Sequence, residues 1–329
     1  MAIIALNNCL AIANVAQKFI FCSRTIKITF LKPSNWQILA TLTIAVLAVS
    51  TSAIWIRLAM ETANNYTVSF SLFIAASRLI LSALVVLPTA YRFKSTQVNP
   101  QAFYYAVAAG ICLAIHFASW ISSLAFTSII AATTLVTTNP IWVGLLSRFL
   151  LKEKLSKLTI LGIGIAFVGG ILIASSSPEN IVESRNSLLG NTLALIGAIM
   201  VSLYMMCGTQ AQKLGLSISN YILIAYWTAA IALLPLPFLF NISYTGYQPA
   251  IYGYIALMAI FPQLIGHTGF NWALRWLSPT FVTLSILFEP IIASALGAVV
   301  FQEIPPLSTL WGASVLVGGV AIAVKGKNV

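Results

Sequence analysis

Glu289 is the only acidic side chain near the middle of a long apolar run, residues 281–301. A charge at the bilayer centre costs about 2.5–3.5 kcal/mol on insertion scales, so a carboxyl group kept there asks for a role. It can take up and release a proton, or pair with a substrate ammonium. It can also be a fixed counter-ion of Arg78 or Arg57, tying helices together. Arg78, near the middle of the run 68–87, has the mirror-image choice. It can clamp a substrate carboxylate with two parallel bonds, or neutralise Glu289 permanently. Arg57 lies closer to a span end, where a long side chain can snorkel to the interface.

His116 and Trp120 are four residues apart and share a helix face. An imidazole can relay protons, and an indole can pack over a cationic or aromatic substrate. The plainer reading is a neutral histidine bonded to a neighbouring helix beside a space-filling tryptophan. Asn139 and Asn271 can equally touch a substrate or bond helices to one another. Asp is absent and His occurs only at 116 and 267. No nucleotide-binding loop, dinucleotide fingerprint or metal cluster is present in the sequence, so no cofactor and no metal are expected. The four cysteines, at 9, 22, 112 and 207, have no ligand or redox spacing and read as small apolar fillers.

The elements that must position these groups are apolar helices. Hydrophobic residues make up 60% of the chain and charged ones 7%, where a soluble domain carries roughly 25% charged. About ten runs are long enough to span a bilayer: 36–58, 68–87, 103–125, 129–149 and 158–174, then 188–207, 221–240, 251–272, 281–301 and 310–324. Backbone groups cannot stay unpaired in lipid, so the runs must be helical. The net charge of +11 lies in short gaps between runs, which favours membrane orientation over nucleic-acid binding. Arg92, Lys94, Arg148, Lys152, Lys154, Lys157, Lys213, Arg275, Lys325 and Lys327 fall on one side with both termini. Arg185 falls on the other, beside Glu179 and Glu183. This places both termini in the cytoplasm. Residues 1–35 form an arm in which Asn7, Asn14 and Lys18 make one polar stripe, as on an interfacial helix. An additional span is the other option.

The chain also repeats itself. Asn139-Pro140-Ile141 returns 150 residues later as Glu289-Pro290-Ile291, and Glu153 returns as Glu303. Gly162 returns as Gly312, and after a one-residue slip Val168-Gly169-Gly170 returns as Val317-Gly318-Gly319. Two units follow, 36–177 and 188–325, each of five helices. An odd number forces the second to enter the membrane upside down. Pro140 and Pro290 remove a helical hydrogen bond at matched positions and read as paired hinges, with the carbonyls of Val136 and Ile286 freed. Gly162, Gly169, Gly170, Gly312, Gly318 and Gly319 read as close-approach packing faces, within the subunit or between two copies in a homodimer.

These features resemble the EamA-type transporters of the drug/metabolite transporter superfamily. The likeness rests on Asn139-Pro-Ile-Trp to Glu153, on Phe288-Glu-Pro-Ile to Glu303, on the Gly-rich helix after each, and on Ser52-Ala-Ile-Trp-Ile-Arg57 with Arg78. It covers residues 36–324. The resemblance implies an all-α polytopic membrane protein, with two inverted five-helix repeats around a central cavity. It implies export of amino acids or related small metabolites, and the sequence adds proton exchange as the expected drive and a bacterial inner membrane as the expected site. A larger anionic substrate, such as a sugar phosphate or nucleotide sugar, would require more cavity cations than Arg78 and Arg57. A lipid-modifying membrane enzyme would require converging acids or metal ligands that the chain lacks.

Overall fold

The computed structural model describes residues 33–92, 98–150, 156–175, 186–277, 279–302 and 304–327. The polar stripe of the arm (Asn7, Asn14, Lys18) lies outside the described residues, as do Lys94, Lys152, Glu153, Lys154, Glu179, Glu183, Arg185 and Glu303. Every regular element among the described residues is helical. Among the described residues seven helices are long and apolar enough to cross a membrane: Asn35–Ala63, Val68–Tyr91, Pro100–Ser123, Ile129–Leu146, Ser187–Lys213, Ile218–Leu239 and Pro249–Ala273. Three shorter apolar helices, Lys157–Ile173, Glu289–Phe301 and Leu307–Ala323, complete the set.

Local sequence sets many of the ends. Ser34 Oγ accepts from the Gln37 N–H, and the Gln37 side chain accepts from the Ser34 N–H, which closes a capping box at the first helix. Thr67, Asn99, Ser128, Asn186 and Ser217 accept from the first turns of five later helices. Asn64, in the left-handed region at φ 47°, stops the first span.

Four spans lose regular α geometry part-way along. The first bends at Thr51, where Ser50 Oγ and Thr51 Oγ1 donate to the carbonyls of Val46 and Ala48. The helices Ile129–Val136 and Asn139–Leu150 are separated by Thr137-Thr138, and Pro279–Ile286 and Glu289–Phe301 by Leu287-Phe288. The span Pro249–Ala273 contains a nine-residue π-helical segment, Ala259–His267. The two breaks explain one short helix. Glu289–Phe301 has 13 residues and reaches about 20 Å, so it needs the preceding piece to approach the bilayer thickness. They also correct the expectation of continuous helices over 129–149 and 281–301. Pro140 and Pro290 sit at the second position of a new half-helix, where no N–H is needed.

The two last helices of the repeats, Lys157–Ser175 and Leu307–Lys327, pack as antiparallel neighbours. A Cβ added at Gly162 would strike the backbone of Ala323 and Gly319, and one at Gly169 would strike Leu316 and Gly312. The contact obeys the repeat at a constant offset of 150, which corrects the one-residue slip: Gly162 packs against Gly319, and its counterpart Gly312 against Gly169. Thr159 Oγ1 donates to the Ala323 carbonyl at the end of this seam (3.0 Å). Gly170 and Gly318 take no part. Gly318 would meet nothing within 4 Å, and Gly170 would meet only the tip of Leu316.

Candidate functional site

The four irregular segments converge on one cavity. Its wall takes Val49 and Ser52 from either side of the first bend, and Val136, Thr137 and Asn139 from the first broken helix. Ile286 and Glu289 come from the second broken helix, and Pro262 and His267 from the π segment. Regular helices add His116, Trp120, Val201 and Met205, and Phe270 follows the π segment. The space between its atoms is about 440 Å³, open solvent at the mouth included. Non-helical backbone at membrane depth is tolerated where protein buries it or it lines a cavity, so this convergence has a physical reason. A second, apolar groove between the first span and Glu289–Phe301 is lined by Leu39, Leu42, Val46, Leu47, Phe288 and Ile292. It carries only Thr43 and Ser285 as polar groups and has nothing to orient a polar solute.

Glu289 and Asn139 begin the two half-helices at equivalent positions of the repeat. Glu289 is 8% exposed, and its carboxyl group accepts no hydrogen bond among the described residues. Asn139 is 2% exposed, and its Oδ1 is buried without a partner. Its backbone carbonyl accepts from Ser202 Oγ (3.2 Å).

Arg78 is bonded to protein on two sides. It is fully buried, and Nη1 donates to Ser52 Oγ and Nη2 to Gln263 Oε1, both at 3.1 Å. Its guanidinium lies over the Phe117 ring, 4.1 Å from the centroid. Among the described residues it forms no ion pair with Glu289, and it stands behind the cavity wall. Arg57 does not snorkel. It is 3% exposed, and Nη2 donates to the Thr127 carbonyl (2.9 Å). That loop is held further by Thr127 Oγ1 donating to Asn191 Oδ1 (2.9 Å).

His116 and Trp120 stack nearly parallel, with centroids 6.0 Å apart and planes at 4°. The histidine shares a hydrogen bond between Nδ1 and the Gly197 carbonyl (2.9 Å), while the indole N–H has no partner. Asn271 stands off the wall. Its Nδ2 donates to the Tyr204 hydroxyl and the His267 carbonyl, and its own carbonyl accepts from Gln212. It binds helices together around the site.

Two residues of the site carried a weak signal. His267 faces the cavity, 6.2 Å from the His116 ring, with Nδ1 unpartnered. Gln263, one turn before it, anchors Arg78 and is itself held by the Tyr226 hydroxyl on its carbonyl (3.1 Å). Their polarity within an apolar span was visible, but the π geometry that aims them was not. Among the described residues no three His, Cys, Asp or Glu side chains approach closely enough to hold a metal.

A family model described as the EamA-like transporter family matches residues 34–175 and 188–325, once for each half. The chain belongs to this family. It is similar to the uncharacterized transporter YyaM of Bacillus subtilis (strain 168), with 23% identity over 269 residues, 80% of this chain and 86% of that one. An uncharacterized transporter of Archaeoglobus fulgidus is 26% identical over 196 residues, 59% of this chain and 67% of the other. A crystal structure at 17% identity superposes with a TM-score of 0.58, covering 88% of this chain and 97% of that one, and shows the shared fold. Membership of the family, together with the apolar helices, makes this an integral membrane protein of the transporter class.

Proposed function

We propose that this EamA-family protein is an alternating-access exporter of amino acids or related small metabolites. The observation that carries the reading is the meeting of four irregular spans at a cavity holding a buried carboxyl group that accepts no hydrogen bond among the described residues. Broken helices around a midplane site are how transporters of repeated construction bind a solute and rock around it. The antiparallel, two-fold seam between the last helices supports inverted repeats and a model of ten spans. Two half-helices meeting Thr137-Thr138 and Leu287-Phe288, each stiffened by a proline, serve as matched hinges. Glu289 exchanges a proton as the cavity changes sides. The excess of Lys and Arg in one set of loops supports cytoplasmic termini, and the short loops suit a bacterial inner membrane.

The cations that a sugar phosphate or nucleotide sugar would need are already bonded to protein, Arg57 to Thr127 and Arg78 to Ser52 and Gln263. Four of the six glycines that could have joined two copies, Gly162, Gly169, Gly312 and Gly319, pack within the subunit.

Counterflow in proteoliposomes tests the proposal. Protein reconstituted with unlabelled amino acids inside should accumulate the matching labelled amino acid, and an imposed pH gradient should drive net movement. Absence of both across a panel of amino acids and amines would remove the reading. The same assay should find Pro140→Ala and Pro290→Ala slower with normal expression. Wild-type rates in both would reduce the hinges to simple breaks.

A further inference from the structure

The cavity wall follows the repeat in more than backbone. Asn139 and Glu289 are equivalent residues, as are Trp120 and Phe270, and Val136 and Ile286, each pair 150 apart, and all six line the cavity. The wall therefore offers one pair of oxygen acceptors and one pair of aromatic rings. Both residues are more than nine-tenths buried; among the described residues the Asn139 Oδ1 has no partner and the Glu289 carboxyl accepts no hydrogen bond. Each sits at the start of a half-helix, so its direction is set by backbone.

We propose that this site recognises a substrate ammonium group, held between the Glu289 carboxyl and Asn139 Oδ1, with its organic part against Trp120 and Phe270. A carboxylate on the substrate is then dispensable. This rests on the transporter reading of the same cavity and specifies what the cavity selects. An ammonium brings three donors and no acceptor, which matches two unpaired oxygens. Trp faces also attract cations, and the indole here is backed by the parallel His116 ring. A carboxylate at the same place would meet Glu289. The wall would offer it an indole N–H, the imidazole of His267 and the Asn139 amide, but no guanidinium or ammonium among the lining residues. The guanidinium that a carboxylate would prefer is behind the wall, bonded to Ser52 and Gln263.

Isothermal titration of the full chain in detergent tests the proposal, using phenethylamine and 3-phenylpropanoate as probes of matched size. The amine should bind at least about tenfold more tightly, since a hydrogen bond to a charged group contributes about 1.5–3 kcal/mol. Glu289→Gln should weaken the amine by a similar factor and leave 3-phenylpropanoate no weaker. If Glu289→Gln does not fold, Asn139→Ala replaces it. Its Oδ1 bonds nothing in the protein, and its loss should weaken the amine about fivefold. Equal or tighter binding of 3-phenylpropanoate overturns the proposal. So does no amine binding, or amine affinity unchanged in a folded variant. Amine binding without counterflow would instead remove the transport reading and leave the ammonium site in place. Counterflow of carboxylates without amine binding would do the reverse.

Discussion

The third helix of each half begins with a proline, at Pro100 and Pro249, yet the two helices do different things. The first, Pro100–Ser123, has 24 residues of regular α-helix, while its counterpart, Pro249–Ala273, has 25. The prolines stand 149 residues apart and the helix ends 150 apart, so one residue has been added between them. The structure absorbs it in the π segment Ala259–His267, the usual consequence of one extra residue in a helix. In the first half, His116 bonds the Gly197 carbonyl of the facing helix. At the equivalent place in the second half stands Gly266, where a Cβ would strike Val49 of the first span. One copy thus bonds its neighbour through a side chain, and the other presses backbone against it and turns Gln263 and His267 inward. A duplicated scaffold becomes an asymmetric site through one added residue and several exchanges, among them His116 against Gly266 and Asn139 against Glu289.

The largest expected effect comes from removing the added residue. Deleting Phe261, which is partly exposed, restores the 24-residue length and turns the upstream half of the helix by about 100°. The stack of Tyr254 on Trp55 and the bond from Ser82 to the Ala259 carbonyl lose register. Counterflow should fall more than tenfold and the melting temperature should drop. Normal transport by the deletion would show that the π segment does not set the register.

Exchanging the charged groups comes next. Arg78→Gln leaves Ser52 and Gln263 without their donors, each loss costing about 1–3 kcal/mol, and should lower thermal stability. Glu289→Gln should change stability little while abolishing transport driven by a pH gradient. Adding Glu289→Gln to Arg78→Gln should not restore stability, because the two groups do not touch. Rescue by the double variant, read by differential scanning fluorimetry, would instead reveal a salt bridge between the halves.

The smallest effect compares two adjacent glycines. Gly319→Ala drives a methyl into the backbone of Ala166, an overpacking that costs about 1–3 kcal/mol, whereas Gly318→Ala points into open space. Thermal shift should separate them, with Gly318→Ala at or slightly above wild type. Equal destabilisation would mean that the seam is not the one described.

Much of this was legible in residue order. The repeat was visible because Asn139-Pro140-Ile141 and Glu289-Pro290-Ile291 kept their spacing, and the glycines of the seam because only small residues allow such approach. Glu289 stood out because a lone acid in an apolar run is costly. The breaks were harder to read. Proline suggested a kink, but Thr137-Thr138 and Leu287-Phe288 end one helix before the proline starts another. Arg57 at its span end and Arg78 at mid-span are both buried, and their partners, the Thr127 carbonyl and Gln263, lie 70 and 185 residues away.

Sequence by itself determined the solvent, the helical class, the duplication and the family, because lipid demands long apolar helices and duplication leaves a constant offset. Tertiary structure alone decided which polar groups stay unpaired. Whether Arg78 meets Glu289 or Gln263 depends on how one added residue rotates a helix that begins far away in the chain. Side-chain partnership across helices is a property of rotation and depth, and neither is written in composition or spacing.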